Sequence, residues 1–127
     1  MSVAVTQGIK ISVASQYRED ESNPCDDQYF FTYEITIENE GNEAAQLLSR
    51  HWIIKDAFNR IEEVRGEGVI GQMPVLEPGA SFFYRSGCPL RTEFGSMRGT
   101  YLMERPNGER FEAAIAPFPL VASYMLN

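Results

Sequence analysis

The strongest constraint on the fold is the stretch of residues 31–38, in which apolar and polar side chains alternate without interruption. A period of two is typical of a β-strand with one buried face. The aromatic and β-branched residues that dominate this stretch also favour a strand over a helix. We therefore expect one face to enter a core and the other to meet solvent. The expected inward face consists of Tyr29, Phe31, Tyr33, Ile35 and Ile37, and the outward face of Thr32, Glu34, Thr36 and Glu38.

Similar short segments recur along the chain, separated by Gly, Pro and Asn, and no segment has the pattern of an amphipathic helix. The segment 46–55 is apolar on both parities, which predicts a central strand. About seven antiparallel strands with turns between them predict an all-β fold, an immunoglobulin- or fibronectin type III-like sandwich of two sheets. We expect one such domain over residues 1–127. The predicted strands are 9–17, 29–38, 46–55, 61–65, 81–86, 97–104 and 109–116.

Proline and glycine set the predicted limits of the later strands. Asn107-Gly108, which follows Pro106, predicts a type I′ hairpin turn because both residues accept positive φ. Residues 86–90 are expected to form a loop. Pro117 and Pro119 are expected to end the last strand, since proline has no N–H to donate to a sheet, and to leave a short apolar tail over residues 120–126.

The composition of the chain limits which binding partners and which cellular location we expect. The chain has 18 acidic and 11 basic residues, a net charge of −7. This charge repels phosphate backbones, so we expect no nucleic-acid partner. No apolar run reaches the ~18 residues of a membrane helix, and no export signal is recognisable at the N-terminus. We therefore expect no membrane partner and a cytoplasmic location, where Cys25 and Cys88 stay reduced.

Residues 66–71 match the pattern G-x-G-x-x-G of dinucleotide-binding sites. Such a site requires a helix directly after the glycines, and Pro74 and Pro78 exclude a helix of useful length. Two interpretations remain. Successive amides could form an anion-binding nest, or the glycines could provide turn or bulge geometry within a sandwich. The candidate anion-site residues are Gly66, Gly68, Gly71, Arg65 and Arg50.

The sequence indicates no catalytic or metal-binding constellation. His51 is the only histidine, which excludes a His-rich metal site or a pair of histidines within one chain. Carboxylates between residues 18 and 27 have the chemistry to gather Mg²⁺ or Ca²⁺, but their spacing is not that of an EF-hand. We interpret them as a solvated loop. The prediction is therefore a protein that is not an enzyme and has no catalytic residues, metal site or cofactor.

Six ordered segments together resemble the ApaG family, and the resemblance extends from about Val5 to Val121. It implies a fibronectin type III-like sandwich, in agreement with the strand pattern. The segments are Tyr33-Glu34-Ile35-Thr36-Ile37-Glu38-Asn39, Ser49-Arg50-His51-Trp52-Ile53-Ile54, Val64-Arg65-Gly66-Glu67-Gly68-Val69-Ile70-Gly71, Leu76-Glu77-Pro78-Gly79, Ser86-Gly87-Cys88-Pro89-Leu90 and Met97-Arg98-Gly99-Thr100-Tyr101.

The resemblance also implies a function. Bacterial members of this family are associated with cobalt resistance and magnesium efflux, and the domain occurs in eukaryotic F-box proteins, where it is interpreted as protein-binding. Family members have been suggested to bind nucleotides or pyrophosphate through the glycine motif, here Gly66, Gly68 and Gly71. We expect a protein-interaction module with an unidentified protein partner, present as a monomer or weak homodimer. Nucleotide or pyrophosphate binding is the alternative.

Overall fold

Nine strands form two antiparallel sheets in the computed structural model, which describes residues 1–126. The strands are β1 (Ser2–Thr6), β2 (Ile9–Tyr17), β3 (Tyr29–Asn39), β4 (Ala45–Asp56), β5 (Ile61–Glu67), β6 (Val75–Leu76), β7 (Ser81–Leu90), β8 (Phe94–Glu104) and β9 (Arg110–Val121). One sheet has the order β1-β2-β3-β7, and the other has the order β5-β4-β8-β9 with β6 beside β4. Three short 3₁₀ helices span Glu19–Glu21, Pro24–Asp26 and Ser123–Leu126. This architecture confirms the predicted all-β sandwich.

The alternation in β3 behaves as the sequence predicts. Every second residue from Tyr29 to Ile37 is buried and belongs to the core between the sheets. The facing sheet contributes Trp52 of β4, whose ring centroid lies 5.3 Å from that of Tyr33 in an edge-on arrangement. The strand β4 lies between β5 and β8, which confirms its predicted central place. The burial of side chains from both sheets is the main source of stability in such a sandwich.

Two of the nine strands are absent from the sequence prediction. Strand β1 pairs with β2 through a two-residue turn in which Gln7 has φ 47° and Gly8 has φ 83°. Positive φ at both positions is the requirement of a type I′ turn. The strand itself is short and exposes Val3 and Val5, so its apolar pattern gives no sign of a buried face. The other strand, β6, has only two residues.

The predicted type I′ turn at Asn107-Gly108 is wrong. Only Gly108 has positive φ, 88°, and its N–H donates to the carbonyl of Arg105 at 2.9 Å. Proline has φ fixed near −65°, the value preferred at the second position of a type I turn. Pro106 therefore places the turn one residue earlier, and Gly108 takes the left-handed position that follows it.

The predicted ends of β7 and β9 are also wrong. Strand β9 continues through Pro117 and Pro119 to Val121, and β7 includes Pro89 and ends at Leu90. Both strands are sheet edges. Proline is tolerated at an edge because its missing N–H can face away from the neighbouring strand. The expected apolar tail is therefore partly strand, and the 3₁₀ helix Ser123–Leu126 follows it.

Hydroxyl groups close one side of the sandwich. The Ser2 and Ser15 hydroxyls donate to the carbonyls of Ala116 and Pro119 in β9 at 3.0 and 2.8 Å. The amide of Ala114 donates to the Thr6 hydroxyl at 3.0 Å. On the other side, β5 and β7 each pair with a single neighbour and not with each other. We call this second side the open side.

A buried amide joins the two sheets at one end of the molecule. Asn39 is 1% exposed, and its Nδ2 donates to the carbonyls of Glu43 and Leu76 at 2.7 and 2.9 Å. Its Oδ1 accepts the N–H of Gly41 at 3.0 Å. The side chain thereby satisfies two backbone groups of the connection between β3 and β4 and one of β6. Among residues 1–126, no helix is long and apolar enough to cross a membrane.

We predict that Asn39→Ala lowers the free energy of unfolding by about 1–3 kcal/mol, because that is the cost of a buried polar group without a partner, here the carbonyl of Leu76. Asn39→Asp is expected to be at least as destabilising, since a carboxylate cannot donate to the two carbonyls. Urea titration followed by tryptophan fluorescence measures both values. The control is Asn42→Ala, at an exposed turn position. Equal losses for Asn39→Ala and Asn42→Ala would contradict the prediction.

Candidate functional site

A cleft of about 360 Å³ lies on the open side of the sandwich. Its walls come from β5, from β7 and from the glycine loop, the segment of residues 68–72 that follows β5. Aromatic core residues form part of its lining, and Trp52 there is only 3% exposed. The polar groups of the lining are the Arg50 guanidinium, the Glu62 carboxylate, the Cys88 thiol, and the hydroxyls of Tyr33, Tyr84 and Ser86.

Arg50 enters this cleft because of a β-bulge. The register of β4 against β8 shifts between Leu47 and Ser49, so that Leu48 is an extra residue on β4. One extra residue reverses which side chains face inward. Leu47 is buried before the bulge, and Trp52 is buried after it. Arg50, two residues before Trp52, therefore lies on the inner face.

The Arg50 side chain lies directly over Gly66, its partner on β5. A Cβ atom at Gly66 would be 2.6 Å from Nη2 of Arg50. From this position, Nη1 donates to the carbonyls of Glu67 and Gly68 at 3.0 and 2.9 Å. The first glycine of the motif thus allows the guanidinium to approach the backbone, and the guanidinium in turn holds the start of the glycine loop.

The charge of Arg50 is not neutralised by a neighbouring carboxylate. The side chain is partly buried, and within residues 1–126 it makes no ion pair with Asp or Glu. Arginine binds carboxylates and phosphates through a planar fork of donors. Because one arm of the fork is used by carbonyls, the remaining N–H groups are the ones that a ligand in the cleft could reach.

The two later glycines of the motif form a tight turn. Ile70 and Gly71 have φ values of 43° and 76°, which corresponds to a type I′ turn closed by reciprocal hydrogen bonds between Val69 and Gln72. Gly68 has φ 62°, and a Cβ there would be 2.3 Å from the carbonyl oxygen of Gln72. No helix follows, as predicted. The amides of Gly68, Val69 and Gln72 are used internally.

Two amides of the loop remain available. Neither Ile70 N–H nor Gly71 N–H donates to a group within the described part of the chain. Ile70 is 55% exposed and lines the same cleft as Arg50. A β-branched residue with positive φ is a genuine outlier of backbone geometry, and such strain often lies at functional sites.

Arg65 lies away from this cleft. It pairs with His51 on β4, and this pair is next to the pair of Arg50 and Gly66. Because neighbouring positions on a strand face opposite ways, Arg65 projects from the outer face of the sheet. There Glu63 accepts from Nε2 of His51 at 2.7 Å and lies 3.8 Å from Nη2 of Arg65. The structure therefore brings Gly66, Gly68 and Arg50 together and places Arg65 on the opposite face.

Two tyrosines link the sheets beneath the cleft. The hydroxyls of Tyr84 on β7 and Tyr101 on β8 form a hydrogen bond with each other inside the core. Burial raises the pKa of both groups, and it also raises that of Tyr33. All three therefore stay neutral at physiological pH, and they offer hydroxyl donors and acceptors rather than charge.

A second, larger cleft of about 910 Å³ continues the first along the open side. It shares Ile54, Glu62 and Pro89 with the first cleft. The carboxylate-rich loop of residues 18–27 forms one wall. Within residues 1–126, no group of three or more His, Cys, Asp or Glu side chains could hold a metal ion together. The loop contributes Glu21, Asp26 and Asp27 to this wall.

Sequence reasoning missed the tyrosines and Cys88 as cleft residues. The alternation in β3 places Tyr33 on the inner face, but it gives no sign that the sandwich is open beside that residue. For Tyr84, alternation from Phe82 through Ser86 is a usable signal of an inward position. Cys88 lies in a segment that the sequence predicts to be a loop, so its inward position could not be recognised.

The fold and the cleft define a class of protein: a fibronectin type III-like sandwich with an arginine held over a glycine-rich edge. Residues 19–105 match the ApaG domain family. Protein ApaG of Anaeromyxobacter dehalogenans strain 2CP-C is 53% identical over 127 residues and the full length of both chains. Protein ApaG of Methylobacterium sp. strain 4-46 is 51% identical over 94% of this chain and 92% of its own.

A solved structure supports the same family assignment as these relatives. The chain superposes on the putative ApaA protein of Bordetella pertussis with a TM-score of 0.88 and 49% sequence identity, over 90% of this chain and 93% of that one. A protein from Archaeoglobus fulgidus, 10% identical with a TM-score of 0.53, shares the fold alone. The chain belongs to the ApaG family.

We predict that the two cysteines differ strongly in reactivity. Cys25 is exposed, whereas burial raises the pKa of the Cys88 thiol to about 12. Near pH 8, the thiolate fraction of Cys88 is then roughly a thousandfold below that of an ordinary thiol. Iodoacetamide labelling followed by mass spectrometry should therefore modify Cys25 first. Cys25→Ser should remain unlabelled until urea unfolds it, and rapid native labelling of that variant would contradict the assignment.

Proposed function

We propose that the protein is a non-enzymatic protein-interaction module of the ApaG family that receives its partner on the open side. One observation supports this proposal above the others: β5 and β7 are both unpaired sheet edges, and a cleft lies between them. An unpaired edge presents a row of backbone donors and acceptors to which an extended segment of another protein can bind. The opposite side, between β1 and β9, is closed by hydroxyl contacts.

Apolar surface on the open side supports the same proposal. Ile70 is 55% exposed at the cleft, and Ile61 at the start of β5 is 60% exposed. Full burial of one such side chain against a partner contributes about 1.5–3 kcal/mol. Edge pairing then gives affinity, and the cleft gives selectivity for particular side chains.

The cellular role forms a further part of this proposal. We place the protein in the cytoplasm and propose that its connection to cobalt resistance and magnesium efflux, which the family resemblance implies, acts through the bound partner.

A photo-crosslinking amino acid in place of Ile70 tests the proposal. In living cells, we expect a discrete crosslinked product from position 70 and none from the matched position Val5, which is 58% exposed on β1. Mass spectrometry then identifies the crosslinked chain. Equal products from both positions, or none from position 70, would count against an interface on the open side.

A second candidate function is the binding of pyrophosphate or a nucleotide. It is favoured by a specific observation: the unneutralised Arg50 lies at the same cleft as Ile70, whose amide, like that of Gly71, has no partner among the described residues. A guanidinium with backbone amides is a recurrent anion-binding arrangement. For the nucleotide or pyrophosphate site suggested for the family, we therefore choose Arg50 rather than Arg65 as the arginine that binds the anion.

Amide chemical shifts measured during titration with pyrophosphate and ATP, with and without Mg²⁺, test this second function. We expect saturable shifts centred on Ile70 and Gly71. Arg50→Gln should reduce the affinity at least tenfold, since a hydrogen bond to a charged group contributes about 1.5–3 kcal/mol. Arg65→Gln removes the same charge from the outer face and should leave the affinity unchanged. Equal effects of the two variants would mean that the affinity depends only on the net charge of the protein and not on the position of Arg50.

A further inference from the structure

We infer that the open side is one continuous groove with opposite charges at its two ends, and that it binds an extended peptide with an acidic group for Arg50 and a basic group for the other end. This inference rests on the proposed interaction function. It adds the class of partner and the positions of its two charges.

The groove is continuous because the two clefts share residues. Ile54, Glu62 and Pro89 line both of them. Strand β5 forms one wall along the whole length and β7 the other, and neither wall has a second strand neighbour. An extended chain is the shape that fits between two strand edges.

The positive end is the cleft at Arg50. The guanidinium is anchored by the carbonyls of Glu67 and Gly68, so a ligand does not have to order it first. Tyr84 and Tyr33 beside it are neutral, because burial raises the pKa of both hydroxyls. A carboxylate, either a side chain or the C-terminus, is the anionic group that a peptide offers to this end.

The negative end is the larger cleft. Asp27 and Glu62 line it, and neither forms an ion pair within residues 1–126. Two arginines also line this cleft. Arg60 forms an ion pair with Asp56 at 2.8 Å. Arg91 is therefore the one basic side chain of this cleft without a carboxylate partner among the described residues. Asp26 adds a further carboxylate, whereas Glu21 is paired with Arg18 at 3.4 Å. The balance in this cleft therefore favours a lysine or arginine of the ligand.

The spacing of the two charges follows from β5. Arg50 lies over Gly66, and Glu62 is four residues earlier on the same strand. With a rise of about 3.3 Å per residue, Gly66 and Glu62 are roughly 13 Å apart along the strand. An extended peptide spans the same length in about four residues. The inferred ligand therefore has an acidic and a basic residue separated by about that number.

The test is a selection of phage-displayed linear random octapeptides on the immobilised full-length protein. The enriched peptides should contain one acidic and one basic residue about four positions apart. Fluorescence polarisation of labelled synthetic copies then measures affinity. Glu62→Lys and Arg50→Gln should each weaken binding about tenfold, as expected for a lost charge-assisted hydrogen bond.

Two comparisons separate recognition from damage to the fold. Glu112→Lys makes the same charge change at an exposed position of β9 and should leave binding within about twofold. A peptide in which the basic residue is replaced by Glu should bind Glu62→Lys better than it binds the unmodified protein. The same peptide should bind Glu112→Lys no better than it binds the unmodified protein, which separates a direct charge pair from a change in net charge.

The remaining outcomes overturn the inference. Enriched peptides without the charge pair, or peptides whose binding does not change in Glu62→Lys, would refute the inferred positions of the two charges. They would not contradict the proposed interaction function. A failure to enrich any peptide refutes the inference as well, and it extends to the proposed function only if crosslinking from position 70 also gives no product. Occupation of the groove by a second copy, detected as self-association lost in Glu62→Lys, would replace the peptide with a homodimer.

Discussion

The asymmetry between the two sides of the sandwich depends on three hydroxyl groups. Ser2, Thr6 and Ser15 connect the first hairpin to the backbone of β9. A hydrogen bond of this kind contributes only about 1 kcal/mol, and together the three bonds connect the edges of the two sheets on this side. On the other side β5 and β7 are not paired with each other, and the cleft and Arg50 lie there. The sandwich is thus closed where the first hairpin meets β9 and open where β5 and β7 face each other.

Much of this fold is predictable from local chemistry. The inward face of β3 follows directly from alternation, because each step along a strand reverses the direction of the side chain. The absence of a helix after Gly71 follows from the prolines that come next. The prolines within β7 and β9 misled the prediction, since their tolerance depends on whether a strand lies at a sheet edge. That property belongs to the topology rather than to the segment.

The candidate site was only half predictable for a related reason. The glycine motif and two nearby arginines are visible in the sequence, but the face on which each arginine lies is not. The extra residue Leu48 reverses the parity of β4 and turns Arg50 inward. Arg65, which has the same charge and is one position from Gly66, faces outward instead. A bulge leaves no clear mark in a segment that is apolar on both parities, so only the paired register decides between the two arginines.

Trp52 gives the cleft a built-in optical property. It is the only tryptophan of the chain, it lines the cleft, and it contacts the rings of Tyr33, Tyr101 and Phe118. Indole emission depends on the charge and polarity of its surroundings, and Arg50, two residues before it on the same face of β4, is the positive charge at this cleft. Any occupant that neutralises that guanidinium also alters the electric field at the indole. The chain therefore has an intrinsic spectroscopic sensor for the occupancy of its own groove, and no label is needed.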